Sequence, residues 1–232
     1  MLRSSPPSAG SPIDDRFWGW PDGRTLRTFA WVGLAGACWF ALIYGGTDLV
    51  TSRRTLRVPI HFEAELQIPF VPLAVWVYMT MYALFLMAPF VLRSPRRLMA
   101  LGATHAAIVL VAGIGFLLVP AELVYPQTIG FPDRGATDTL YRFADWLNLD
   151  YNLLPSLHVA LSVSCVAVYG RRAKPTGRVL LWGWAITVAL STIFTHFHHV
   201  LDAVSGFALG VAGARVVYGP MAASQAGPQW LR

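Results

Sequence analysis

Charge is the scarcest property of this chain. Charged residues make up 13% of its 232 residues, against about a quarter in a soluble domain. Hydrophobic residues reach 55% and mean hydropathy is +0.51. That balance excludes a disordered chain and speaks against a soluble monomer. Lysine is almost absent: Lys174 is the only one among 18 cations, the rest being arginine. The net charge of +6 does not mark a nucleic-acid binder, because its cations form small groups between apolar runs and no dense basic stripe. Cysteine is nearly missing too. Cys38 and Cys165 both lie in apolar runs, so neither a disulfide framework nor a cysteine metal site is available. No internal repeat is visible, which gives an inverted-repeat transporter no support.

Long apolar runs are what the chain has. A membrane-spanning helix needs about 20 mostly apolar residues. Six candidates follow: roughly 29–48, 70–92, 98–119, 155–170, 178–196 and 202–219. The fourth is short, and the polar stretch before it is expected to lie in a protein-lined cavity. The expected fold is therefore an all-α polytopic membrane protein, a bundle of six transmembrane helices. Residues 1–28 read as a flexible cytoplasmic segment rather than a signal peptide. Residues 29–219 form the membrane domain, and 220–232 a cytoplasmic tail.

Orientation follows from the cations. With the N-terminus inside, only Arg53, Arg54, Arg57, Arg134 and Arg142 fall outside. Most acids lie in or beside the outer segments, which places the chemistry on the outer face. Residues 49–69 read as interfacial. Residues 120–154 are too long for a simple connection and read as functional.

Four of the six histidines converge. His158 opens the fourth span. His196, His198 and His199 close the fifth. One down-and-up hairpin returns both groups to the same membrane face. Asp202 follows His198 by four residues, a spacing that shares a helix face. A carboxylate there holds an imidazole in one tautomer and raises its basicity. The imidazole of the other helix is then available as a general acid. Three alternatives stand beside this reading: a metal site built from clustered histidines, plain packing, and pairing of His199 rather than His198 with Asp202. His105, in the third span, reads as a hydrogen-bonded interior histidine, and His61 carries no signal.

The segments YNLLPSLHVALS (151–162) and STIFTHFHHVLDAVSG (191–206) resemble the type 2 phosphatidic acid phosphatase superfamily. Its signatures are K-x6-R-P, P-S-G-H and S-R-x5-H-x3-D. Pro155, Ser156 and His158 match the second, with Leu157 in place of Gly. Ser191, His198 and Asp202 match the third, with Thr192 in place of Arg. The first is degraded: Gln127 and Arg134 keep its spacing, but Gly135 replaces Pro. The PSLH variant, Asn152, YRFAD (141–145) and IPFVPLAVWVYMTMY (68–82) are similar to the inositolphosphorylceramide-synthase branch, with sphingomyelin synthases as further relatives. The resemblance implies a lipid phosphatase or phosphotransferase. His198 attacks phosphorus, Asp202 orients it and His158 protonates the leaving group. Ser156, Ser191, Arg134 and Arg142 are the implied phosphate-binding residues. No metal and no cofactor is implied. The partners are a lipid phosphate substrate and membrane lipids, with no nucleic acid. A transporter with a titratable histidine cluster is the competing reading, as is a lipid-binding scaffold.

Overall fold

The computed structural model describes residues 17–125 and 135–223. Helix α1 runs Gly23–Thr51 and includes a π-helical turn at Ala41–Gly45. Asp22 starts it, accepting the Thr25 N–H at 2.7 Å, and that bond pulls the Asp22 carboxyl below its ordinary range. Helix α2, Ala74–Leu92, is interrupted at Thr80. Helix α3, Pro95–Leu118, has proline in its first turn, where a missing N–H costs nothing. Helix α4, Ala136–Leu147, is amphipathic. Helices α5 (Leu157–Tyr169), α6 (Pro175–Phe194) and α7 (Val200–Ala223) complete the bundle. The only extended pairing among the described residues is a short parallel bridge. In it β1, Val58–Pro59, pairs with β2, Ala121–Glu122.

Five of these helices are long and apolar enough to cross a membrane: α1, α2, α3, α6 and α7. Helix α5 is apolar but has only 13 residues, about 20 Å at 1.5 Å per residue. Of the six candidates, five are met by full-length helices and the fourth, already short in the sequence, by this 13-residue helix. The burial of α5 gives the physical reason. Every residue of it except Ala167 is buried, so neighbouring helices surround it and lipid does not. A helix shielded in this way can start and stop inside the bundle.

Two glycines bring α5 and α7 together. A Cβ at Gly206 would collide with the Ser156 carbonyl oxygen, and one at Gly210 with that of Ala160. Small residues four apart let helix backbones approach this closely in membranes. The outward faces are apolar instead. Trp31, Leu42, Leu180 and Val216 are all exposed, as expected of surfaces that meet acyl chains.

The helices share two ends. Gly19 N–H donates to Phe90 O, and Arg96 donates to Met221 O. The α2–α3 turn and both ends of the described chain therefore lie together. At the other end Val71 N–H donates to Phe194 O, and Val58 N–H to Pro120 O. His158, His198 and Asp202 all sit at this second end.

Candidate active site

Ser156 caps α5. Its Oγ accepts the Val159 N–H at 3.4 Å, and its own N–H donates to Asp202 O at 3.0 Å. The second bond fixes the start of α5 to the first turn of α7. His158 comes one residue into α5 and is buried. Its ring lies flat on Tyr78, with centroids 3.6 Å apart and planes 17° apart. His158 Nε2 donates to the Tyr78 carbonyl at 2.7 Å. Since a carbonyl can only accept, this bond fixes the proton on Nε2.

The other histidine arrives through a tight reversal after α6. Thr192 O accepts two N–H groups, from Phe197 and His198, both at 3.1 Å. His196 takes a left-handed φ of 58° to make the turn, a region where histidine is enriched among non-glycine residues. His199 is then the N-cap of α7, and Asp202 is its third residue. Asp202 Oδ2 accepts the His199 N–H at 2.9 Å and lies 3.4 Å from His198 Nδ1. The predicted meeting of His198 and Asp202 occurs, but for a different reason. His198 precedes the helix, so the two do not share a helix face. The carboxylate reaches back over the helix start, as acidic side chains in a first turn do. The ring that faces Asp202 is that of His198; His199 contributes its backbone.

Asp202 is fully buried and His198 is 7% exposed. Tyr78 stacks on His158 and packs 5.1 Å from Phe197, the residue before His198. The bond from Ser156 N–H to Asp202 O holds the helix start that carries His158 beside the one that carries Asp202. With Nδ1 of His198 turned to Asp202, its Nε2 keeps a lone pair and can act as a nucleophile.

The phosphate-binding candidates fare unevenly. Ser156 lies at the junction just described. The Ser191 hydroxyl is buried and donates within its own helix, to Val188 O at 2.6 Å. Thr192, where the signature has arginine, does likewise to Ala189 O. Arg142 Nε is 3.0 Å from Asp138 Oδ1, and its side chain is 67% exposed. The spacing Asp138–Arg142 was a readable sign of this pair. Arg134 and Gln127 lie outside the described residues. His105 bonds to Ser164 Oγ at 3.1 Å, as an interior histidine would.

Three residues at this end escaped the sequence reading. Tyr78 supplies a ring and a carbonyl to His158. Tyr125 stacks on His196, with centroids 4.1 Å apart, and its buried hydroxyl is pushed up to about 12 by desolvation and by the nearby Glu65 and Asp202. Glu65 is 4% exposed. Among the described residues, no group of three or more His, Cys, Asp or Glu is arranged to hold a metal ion.

No curated protein and no solved structure matches this chain. A family model described as the PAP2 superfamily matches residues 60–216, a stretch that runs from just after β1 into α7 and includes both histidine-bearing helix starts. The chain belongs to the PAP2 superfamily, and that membership supports a phosphatase-type lipid phosphoesterase.

Proposed function

We propose that this chain is a six-span lipid phosphatase or phosphotransferase that works through a phosphohistidine on His198. The contact of His198 Nδ1 with Asp202, tied through the Ser156 N–H to the helix start that carries His158, carries the reading. His198 Nε2 attacks phosphorus, the bond from phosphorus to the leaving oxygen breaks, and His158 gives that oxygen a proton. With Nε2 of His158 held by the Tyr78 carbonyl, Nδ1 is the nitrogen that carries the transferred proton. An acceptor oxygen then attacks the phosphohistidine, loses its proton to His158, and the P–N bond breaks. Asp202 supports the positive charge that builds on His198.

The phosphoryl oxygens need donors. Backbone amides in the first turn of α5 point into the junction, as at any helix start. Arg134, one residue before Gly135 in the sequence, is the further cation for this role, and Arg142 serves it on release from Asp138. Scarcity of cations favours a diester or a lipid pyrophosphate over a doubly charged monoester. Transfer to a lipid alcohol, as in inositolphosphorylceramide synthases, fits the branch-like residues named above. With the N-terminus cytoplasmic, the site opens on the outer face of a plasma membrane, and Lys scarcity favours a bacterial one.

A cavity of about 420 Å³ supports a lipid substrate. It lies between α1, α2 and α3, lined by Gly33, Gly36, Phe40, Met81, His105 and Leu161 among others. Met81 and Leu161 lie one helical turn beyond Tyr78 and His158. Its size is that of a ligand pocket, roughly 300–1,000 Å³, and its walls suit an acyl chain.

Purified protein in detergent tests the reading against phosphatidic acid, polyprenyl diphosphate and phosphatidylinositol, each with and without ceramide or diacylglycerol. Inorganic phosphate release marks hydrolysis; a new phospholipid marks transfer. His198→Ala is expected to abolish both, and full activity in that variant overturns the nucleophile assignment.

A further inference from the structure

Glu65 comes from a short 3-10 turn, Glu63–Gln67, in the segment that joins α1 to α2. Its neighbour Glu63 is exposed, yet Glu65 is 4% exposed. Its carboxylate touches three things. Oε2 accepts the Val200 N–H at 2.8 Å, at the first residue of α7. Oε1 accepts the Phe62 N–H at 3.1 Å and lies 2.8 Å from His199 Nδ1. The other nitrogen of that ring, Nε2, accepts the Val124 N–H at 3.2 Å. A neutral His199 therefore carries its proton on Nδ1, facing the carboxylate. Tyr125 covers the ring, with centroids 4.8 Å apart.

The chain of contacts continues inward. His199 N–H holds Asp202 Oδ2, and Asp202 faces His198. Glu65 thus holds the residue that holds the residue that orients His198. A helix cap alone does not need this. A serine, asparagine or glutamine would satisfy Val200 N–H without burying a charge, and a buried carboxylate with no cation beside it is costly. The charge is explained by the imidazole that it faces.

We propose that Glu65 and His199 form a second carboxylate–imidazole pair, a positioning pair, which sets the orientation of Asp202 and through it the nucleophilic nitrogen of His198. The inference rests on His198 being the nucleophile. It also gives the segment between α1 and α2 a part in the site: any movement of the Glu63–Gln67 turn is felt at Asp202.

Glu65→Gln keeps an oxygen for Val200 N–H, so the variant is expected to elute as a single folded species. On the lipid that the wild type turns over best, kcat should fall roughly 10- to 100-fold, by analogy with the loss of the partner that orients a metal-ligating histidine. KM should stay within about twofold, because lipid binding is untouched. His199→Gln should behave alike, and the double variant should lose no more than the worse single one. Unchanged kcat in Glu65→Gln, or losses that simply multiply, overturns the proposal. A second measurement needs no turnover. In 15N-histidine spectra the His198 signal should report the Nδ1–H tautomer in wild type and a mixture in Glu65→Gln. An unchanged His198 signal sinks the positioning pair even in an inactive protein. Activity in His198→Ala, by contrast, overturns the reading of the site while the spectra still judge the pair.

Discussion

At the end where α1 begins and α7 finishes, arginines reach for carbonyl oxygens. Arg171 donates to Ala214 O at 2.7 Å and lies over the Tyr218 ring. Arg178 donates to Gly170 O at 3.0 Å, at the finish of α5. Arg96 donates to Met221 O at 3.2 Å. At the opposite end the same helices meet acceptors: Ser156 on α5, Glu65 and Asp202 on α7. Both ends obey one rule, since helix starts attract negative charge and helix finishes positive charge. They differ in burial. The arginines bond one at a time to backbone at the rim, whereas Asp202, Glu65, His199 and His158 are buried together. A charge at the rim holds a helix end. A set of buried charges within reach of one another can hold a proton, and can move it.

The comparison breaks first at His158. His158→Ala should lower turnover of an alkyl phosphoester about 10²- to 10⁴-fold, the usual worth of a positioned acid. An aryl ester with a good leaving group needs no proton and should lose far less. Equal losses on both substrates, measured as kcat, show that His158 only packs against Tyr78.

Next comes the crossing that presents the site. Gly210→Val places methyl groups against Ala160 O and Val163, whose Cβ already lies 2.9 Å from the added carbon. Overpacking of this kind costs about 1–3 kcal/mol, and it should appear as a lower unfolding temperature in detergent together with lost activity. Gly183→Ala, on α6 and away from the acyl cavity, meets nothing within 4 Å and should leave both unchanged. If the two variants behave alike, close approach of α5 and α7 is not what builds the site.

Much of this was legible beforehand. Runs of apolar residues located the six apolar helices, α1 starting six residues early, because lipid leaves a helix no other way to satisfy its backbone; the amphipathic α4 lay hidden in the long segment 120–154. The His198–Asp202 pair was legible from spacing, although its geometry comes from a helix start rather than a helix face. Glu65 was not legible. Beside Glu63 it reads as one more acid in a polar segment, and only the folding of that segment over α7 buries one and leaves the other in water. Tyr78 was hidden for another reason: half of its contact with His158 is a carbonyl, which every residue has. For Arg142 the outer position was weighed but its i, i+4 partner Asp138 was not.

Acid should weaken the buried end selectively. Desolvation holds the His199 imidazole below its ordinary pKa, against the pull of Asp202 and Glu65. The folded state then binds fewer protons than the unfolded chain, so stability rises with pH through this window. It is fully present above the ordinary histidine value of about 6.5 and is lost as pH falls below it. Unfolding temperatures in detergent should therefore drop as pH falls below about 6.5, and His199→Gln should flatten the curve. An unchanged slope in that variant assigns the titration to another group.

The smallest effect is expected at the rim. Arg171→Ala removes one charged hydrogen bond to Ala214 O and a cation over Tyr218, worth together about 1–3 kcal/mol of stability at most. Nothing about that bond reaches His198. Turnover per folded molecule should stay within about twofold, even as the unfolding temperature falls. A similar drop in stability at the buried end, through Glu65→Gln, is expected to come with a much larger loss of turnover. If Arg171→Ala slows turnover as strongly as Glu65→Gln does, the two ends are coupled through α5 and α7, and burial alone does not separate structural charge from functional charge.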